Sequence, residues 1–392
     1  MAPKNSANAK TFPRFMFTAV LVATLIGNMD TQALVPILSL YAKKLGSTVE
    51  MAGLIVGAYS IVHVPASVVF GRIIDKVGRK LPLIIGLASD AVSMILYTVS
   101  MNPLHLLITR ILHGLGGAFV GPSTMSFMVD LAQDTEKGKL MGVYGASIAA
   151  SVLIAFMLSG VVVSNWGYSS LFHLLLIALG FTVLISLFIS ETRMVEARRR
   201  TTLWETFHTF KALFGRRGLA ASYYSIFAQY FTLGSITTLF PLYVKRYGMA
   251  EFSVAILFSS FALLFILLQY PSGILSDKIG RKTPLVLGLS MVMIAILSIP
   301  LLKDLRGLVL MMMLYGIGSG IIFPTTSALV ADETEEDERG IATGVFYAGI
   351  VGGVAVGAPI TGLVAATWGI SLGLVSSFVA PFIAILAVLI LS

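Results

Sequence analysis

Three charged residues stand where charge is costly. Asp30, Asp90 and Arg110 each lie within a long apolar stretch, and no other of the 19 acidic and 27 basic residues does. A charge at the centre of a hydrocarbon layer costs at least ~2.5–3.5 kcal/mol, so such residues face the protein interior and mark function. Asp30, flanked by Asn28, Thr31 and Gln32, reads as a carboxylate that loads and releases a proton. Dehydration favours a neutral carboxyl and a nearby cation an ionised one. A change in the separation of Asp30 and Arg110 would therefore switch protonation. The other reading is a structural ion pair joining two helices. His113 follows Arg110 by three residues and shares its helix face, in place to relay protons or touch substrate. Asp90 reads as structural support rather than a second titrating group. Asn28, Gln32, Gln229, Tyr230, Thr232 and Gln269 are candidate polar contacts for a substrate.

The elements that must position these residues follow from composition. Hydrophobic residues make up 57% of the 392 and charged residues only 12%, where soluble domains carry about 25%. That excludes a soluble enzyme, a disordered chain and a coiled coil. The apolar residues form blocks of about 18–25, each enough for a helix to cross ~30 Å of hydrocarbon. Twelve spans are expected, near 15–40, 51–74, 81–100, 103–129, 139–163, 168–190, 218–242, 251–275, 284–302, 306–331, 340–366 and 369–391. Continuous runs without in/out alternation mean helices rather than barrel strands. The 1–14 arm carries no small-residue cleavage site, so no cleaved signal peptide is expected. There is no cysteine, hence no disulfide and no thiolate metal site.

Lys and Arg set the orientation. Lys43, Lys44, Lys245, Arg246, Lys303 and Arg306 fall on one side, and all others except Arg110 on the side of the N-terminus. The positive-inside rule places that basic face, with both termini, in the cytoplasm. The net charge of +8 is thus a topological signal and not a nucleic-acid footprint. The longest connection, 191–217, contains Arg198-Arg199-Arg200. Thr202 and Glu205 follow in a capping-box pattern, then Leu203, Phe207, Phe210 and Phe214 at helical spacing. It reads as an amphipathic helix on the membrane surface or, alternatively, a disordered basic linker.

The chain also repeats itself. Gly71, Asp75, Lys76, Gly78, Arg79 and Lys80 recur at one constant offset as Gly273, Asp277, Lys278, Gly280, Arg281 and Lys282. The same offset pairs Tyr41 with Tyr243, Gly114 with Gly316, Pro122 with Pro324, Asp130 with Asp332, Gly160 with Gly362 and Trp166-Gly167 with Trp368-Gly369. Two six-helix halves, 15–190 and 218–392, are expected, inserted the same way up, with substrate bound near the midplane between them. In each loop, glycine permits a tight turn, an aspartate can cap a positive helix N-terminus, and the basic pair anchors at headgroups or meets acids. The plainer reading of these loops is topology alone.

With both loop copies and their spacing in view, the sequence resembles the major facilitator superfamily of secondary transporters over nearly its whole length. Gly71 to Lys80 and Gly273 to Lys282 match that family's loop motif Gly-x-x-x-Asp-Arg/Lys-x-Gly-Arg/Lys-Arg/Lys. The resemblance implies an all-α fold of two pseudo-symmetric six-helix bundles, with spans 1, 4, 7 and 10 lining a cavity. It implies that Asp75 docks on the eleventh span and Asp277 on the fifth when the outside is open, and that Asp130 and Asp332 pair with the loop arginines. Arg110, Gly114 and Gly116 match the Arg-x-x-x-Gly-x-Gly motif associated with proton coupling, whereas the repeat position of Arg110 is Met312. The fifth-span Gly-Pro motif of drug antiporters is absent: Ala155 and Phe156 stand there.

A transporter driven by the proton gradient is therefore expected, needing no cofactor and no metal. Its partners would be the lipid bilayer, protons and a small-molecule substrate, with no nucleic acid, and it would act as a monomer in the plasma membrane. Antiport of small amphipathic or lipophilic compounds is the leading expectation. Symport or uniport of a nutrient, metal chelate or lipid-like solute is the alternative. An intramembrane enzyme or receptor is remote, because Gly-x-x-x-x-Gly-Lys-Ser/Thr, His-Glu-x-x-His and a serine elbow are all missing.

Overall fold

In a computed structural model, residues 14–131, 137–192, 213, 215–335 and 338–391 are described. No strand occurs among them. The first half comprises α1 (Arg14–Leu34), α2 (Leu38–Lys44), α3 (Val49–Val77), α4 (Lys80–Val99), α5 (Pro103–Leu131), α6 (Lys137–Trp166) and α7 (Tyr168–Leu187). The second comprises α8 (Arg217–Arg246), α9 (Glu251–Ile279), α10 (Lys282–Ser298) with a 3₁₀ turn at Ile299–Leu301, α11 (Leu305–Asp332), α12 (Arg339–Trp368), α13 (Ile370–Ser376) and α14 (Val379–Leu391). The amphipathic segment expected between the halves lies almost wholly outside the described residues.

Long helices are what lipid permits, because every backbone N–H and C=O must find its partner within the segment. Ten described helices or helix pairs are long and apolar enough to cross a membrane. The pair α1–α2, bent by 49°, makes an eleventh. That bend interrupts the expected span 15–40: Pro36 has no N–H to donate, and its ring disfavours a continuous helix. The twelfth span is α8, which is long enough at 30 residues but polar. Ser222, Ser225, Gln229, Thr232, Ser235, Thr237 and Thr238 run along it and are all buried. It can be polar because α12, α14 and α11 pack along it. The last span is also broken, between α13 and α14 at Ser377–Phe378. Several helices outrun their expected ends; α3 and α9 continue to Val77 and Ile279 and stop where Gly78 (φ 99°) and Gly280 (φ 83°) take left-handed backbone, a conformation glycine enters without steric penalty.

Two large buried apolar clusters divide the protein. One is drawn almost entirely from α1–α7, with Ala358 joining it; the other is drawn from α8–α14, joined by Leu40 and Phe156. The seam between the halves is made by α3 against α12 and α6 against α9. It closes at the face opposite the loop motifs. A Cβ on Gly53 would lie 2.5 Å from the Ala358 carbonyl oxygen, and one on Gly160 would collide with the Ala255 side chain. These two close approaches are repeat-related, Gly53 with Ala255 and Gly160 with Gly362. In lipid, where apolar burial gives little drive, such small-residue contacts let helices associate. Phe156 and Phe258 meet edge-on across the same seam at 5.7 Å. Toward the basic face the seam opens: Gly71, Gly142, Gly145 and Gly344 have nothing within 4 Å of an added Cβ.

Candidate functional site

The three membrane-depth charges converge inside the first bundle. Asp30 on α1, Asp90 on α4 and His113 on α5 are each 0% exposed, and Arg110 is 6% exposed. Arg110 does not meet Asp30 directly; His113 stands between them. His113 Nε2 lies 3.2 Å from Asp30 Oδ2 and 3.3 Å from Thr31 Oγ1. On its other edge, His113 Nδ1 lies 3.2 Å from the Tyr97 hydroxyl and 3.5 Å from Arg110 Nη1. Arg110 also donates to the Tyr97 hydroxyl at 3.5 Å and, from Nε, to the Ile55 carbonyl at 3.4 Å. Its guanidinium lies 4.9 Å from the centre of the Tyr59 ring. An arginine only donates, so His113 Nδ1 is the acceptor and Nε2–H points to Asp30. The imidazole in this arrangement is the neutral Nε2–H tautomer, assigned from its partners.

Asp90, expected to be structural support, is part of the cluster. Its Oδ1 lies 4.0 Å from His113 Nε2, and neither carboxyl oxygen has a hydrogen-bond partner. The glycines that follow Arg110 make the room. A Cβ on Gly116 would collide with Asp90 Oδ1, one on Gly114 would lie 2.7 Å from the Tyr59 carbonyl oxygen, and one on Gly117 would collide with the Tyr59 hydroxyl. The Arg-x-x-x-Gly-x-Gly pattern thus supplies the cation and also the space that lets the Asp90 carboxyl approach His113 and Tyr59 meet the guanidinium. Asp30, Asp90 and His113 together could present three donor atoms within 4.8 Å of one another. With Arg110 alongside, a divalent ion would leave the buried group positively charged, so the donor set does not suit one.

The repeat places a neutral copy of this arrangement in the second half. Thr232, Tyr315, Met312 and Val292 hold the positions of Asp30, His113, Arg110 and Asp90. The Thr232 and Tyr315 hydroxyls lie 2.9 Å apart, a hydroxyl pair where the first half has a carboxylate and an imidazole. Gly318 lets α11 pass Val292 as Gly116 lets α5 pass Asp90. Carboxyl, imidazole and guanidinium groups are confined, among these positions, to one bundle.

Asp30, Arg110 and His113 line neither of the two main cavities; they are enclosed by α1, α3, α4 and α5. Of the six polar substrate candidates, Gln269 lines one of these two cavities and the other five line neither. Asn28 donates to the Thr24 carbonyl of its own helix at 2.7 Å, and Gln32 is half-buried. Thr232 turns to Tyr315, Gln229 is buried with its amide oxygen unpartnered, and half-buried Tyr230 abuts Gly353 on α12. The cleft that Gln269 lines has a volume of about 780 Å³ and lies between α6, α9 and α11. Gly142, Gly145, Tyr270, Phe323 and Ser327 are among the residues of its wall, with four alanines between them. No charge pattern marked it, because its walls are glycine, alanine and aromatic. A second cavity of about 760 Å³ is lined by Tyr223, Tyr224, Phe227 and Phe231 with apolar residues of α12 and α14.

At the basic face the loop motifs carry their own contacts. Arg79 pairs with Asp130 at 3.1 Å and Arg281 with Asp332 at 2.9 Å. Asp277 is paired with Arg281 of its own loop at 2.5 Å, not with the fifth span, and is 66% exposed; the Asp75 side chain lies outside the described residues. Lys80 and Lys282 donate to the repeat-related carbonyls of Leu187 and Leu389. Lys76 and Lys278, beside Gly71 and Gly273, are exposed. Glu191, which no motif signalled, accepts from the Arg79 and Lys80 backbone N–H groups at 2.8 and 2.9 Å. It satisfies the open donors at the start of α4.

Comparison with known proteins agrees with this architecture. The Major Facilitator Superfamily model matches residues 20–326 and 247–392. An uncharacterised MFS-type transporter of Methanocaldococcus jannaschii is 23% identical over 363 residues, covering 90% of this chain and 92% of that protein. Multidrug resistance protein MdtH of Sodalis glossinidius is 23% identical over 352 residues, covering 86% and 83%. Among solved structures, a bacterial homolog of the human lysosomal transporter Spinster, inward-facing and unoccupied, superposes with a TM-score of 0.81 at 12% identity, over 96% of each chain. With its duplicated six-helix halves and these matches along both, the chain belongs to the Major Facilitator Superfamily and is a multi-pass membrane transporter, not an enzyme.

Proposed function

We propose that this transporter is a proton-coupled antiporter that exports small amphipathic or lipophilic compounds by alternating access. The observation that carries the reading is the dry Asp30–His113–Arg110 cluster inside one bundle. Such groups at membrane depth are characteristic of proton relays, and the neutral Thr232–Tyr315 pair leaves the other bundle free of carboxyl, imidazole and guanidinium groups at these positions. The export direction is supported by the multidrug resistance proteins among the relatives and by the cleft, whose size suits a drug-like ligand and whose wall mixes aromatic and small residues with Gln269, Tyr270 and Ser327.

The basic face is read as cytoplasmic from its Lys and Arg excess. The seam is then closed outside and open inside, an inward-facing state. Loading a proton from outside and releasing it inside would drive the opposite movement of substrate. The energy source is the proton gradient; no cofactor takes part, and the protein works as a monomer in the plasma membrane.

Reconstitution into proteoliposomes tests the reading, with a fluorescent lipophilic cation as the probe. An imposed proton gradient is expected to concentrate the probe in the compartment from which protons leave. Asp30→Asn is expected to abolish concentration against the gradient while probe exchange at equilibrium persists. Movement of probe in the same direction as the protons would replace antiport by symport.

A further inference from the structure

We infer that Asp90, rather than Asp30, holds the one exchangeable proton of the buried cluster. Its part in transport rests on the proton-coupled reading above; its protonation does not.

The argument is a charge count fixed by hydrogen-bond direction. Arg110 is a permanent cation. It and the Tyr97 hydroxyl approach His113 Nδ1, at 3.5 and 3.2 Å, which leaves the ring neutral with its one N–H on Nε2. Tyr97 accepts from Arg110 and so directs its own proton to Nδ1. Asp30 receives the Nε2–H at 3.2 Å and the backbone N–H of Thr31, two donors that suit an ionised carboxylate. Asp30 and Arg110 then cancel. Asp90 remains, fully buried, with both oxygens unpartnered. An ionised carboxylate without hydrogen bonds in a dry site carries a prohibitive desolvation cost, which protonation removes. The titratable groups around it are otherwise uncharged or already balanced: Asp30 from α1, Tyr59 from α3, Tyr97 from its own helix and His113 from α5, with Arg110 and His63 beyond them against His113 and Tyr59.

The same geometry provides a route off Asp90. Its Oδ1 lies 4.0 Å from His113 Nε2, so a small approach of α4 to α5 would let the carboxyl O–H meet the ring. The Nε2–H proton passes to Asp30, which already accepts it, as the Asp90 O–H bond breaks and a new Nε2–H bond forms; the ring stays neutral, the proton's place moves from Asp90 to Asp30, and no other reactant is needed. Gly116 sets the distance, since a Cβ there would collide with Asp90 Oδ1. The second half has Val292 at this position and nothing to protonate.

Difference infrared spectroscopy on the purified full-length protein at neutral pH tests this directly. A protonated, weakly hydrogen-bonded carboxyl gives a C=O stretching band distinct from those of carboxylates. The wild type is expected to show one such band, Asp90→Asn to lack it, and Gly116→Ala to shift it. A band that persists in Asp90→Asn, or a wild type without one, overturns the assignment. Should Asp90→Asn fail to fold, Gly116→Ala decides: a shifted band supports Asp90 and an unshifted band overturns it. A wild type that shows the band yet moves no substrate on a proton gradient would sink the antiporter reading and leave the Asp90 assignment standing.

Discussion

Arg79 and Arg281 hold the same place in the repeat, yet their ion pairs differ in environment. The Arg79–Asp130 side chains are 7% and 12% exposed, whereas Arg281–Asp332 are 20% and 51% exposed. Water screens the second pair, so it contributes ~1 kcal/mol or less. Removing Arg79 leaves Asp130 nearly buried and short of a cation, which costs about 1–3 kcal/mol. Arg79→Ala is therefore expected to lower the thermal midpoint of the purified protein well below that of Arg281→Ala; equal midpoints would show that burial does not separate the two loops. Thr192, which donates to Asp130 at 2.5 Å, and Glu191, which accepts from the Arg79 and Lys80 backbone N–H groups, further hold the first loop.

At the scale of helices, the seam is a matter of close approach. The face opposite the loop motifs is shut by α3 on α12 and α6 on α9 through Gly53, Gly160 and Gly362. Side chains forced into such a contact cost about 1–3 kcal/mol, and 1.4 kcal/mol is tenfold in a population. Gly160→Val should thus drive α6 away from α9 and open that face by roughly tenfold. The chain has no cysteine, so a single Ala358→Cys, buried on the other half of the seam, reports the opening. Its labelling by a membrane-impermeant maleimide from that face should rise about tenfold with Gly160→Val; unchanged labelling would mean that the two contacts do not open together.

For the whole molecule, closure at one face and a cleft at the other describe one of two states that an alternating transporter must visit. Ser327 lines the cleft beside Gln269. A single Ser327→Cys should react with a maleimide supplied from the basic face and be protected by saturating substrate. Equal reaction from both faces would contradict the closed seam. The halves share a repeat but not a chemistry: at the four related positions one has two carboxyls, an imidazole and a guanidinium, the other two hydroxyls, a thioether and a valine. On the proposed antiport reading, coupling built into one bundle lets a proton change that bundle's fit against its partner while the partner's packing stays constant.

Much of this was legible along the chain. Lipid demands long, apolar, internally bonded helices, so the spans, the duplicated halves and the uneven distribution of Lys and Arg were all readable, as was the cost of charge at Asp30, Asp90 and Arg110. Spacing along a helix gives depth in the membrane. It does not give rotation about the helix axis or the identity of the neighbour, because those depend on how faces from distant segments pack. Only the tertiary structure placed His113 between Arg110 and Asp30, brought Asp90 into their company over Gly116, turned Thr232 toward Tyr315, and decided which face of the seam is shut. Glu191 was invisible for the same reason: its partners, the first N–H groups of α4, lie far from it in sequence and beside it in space.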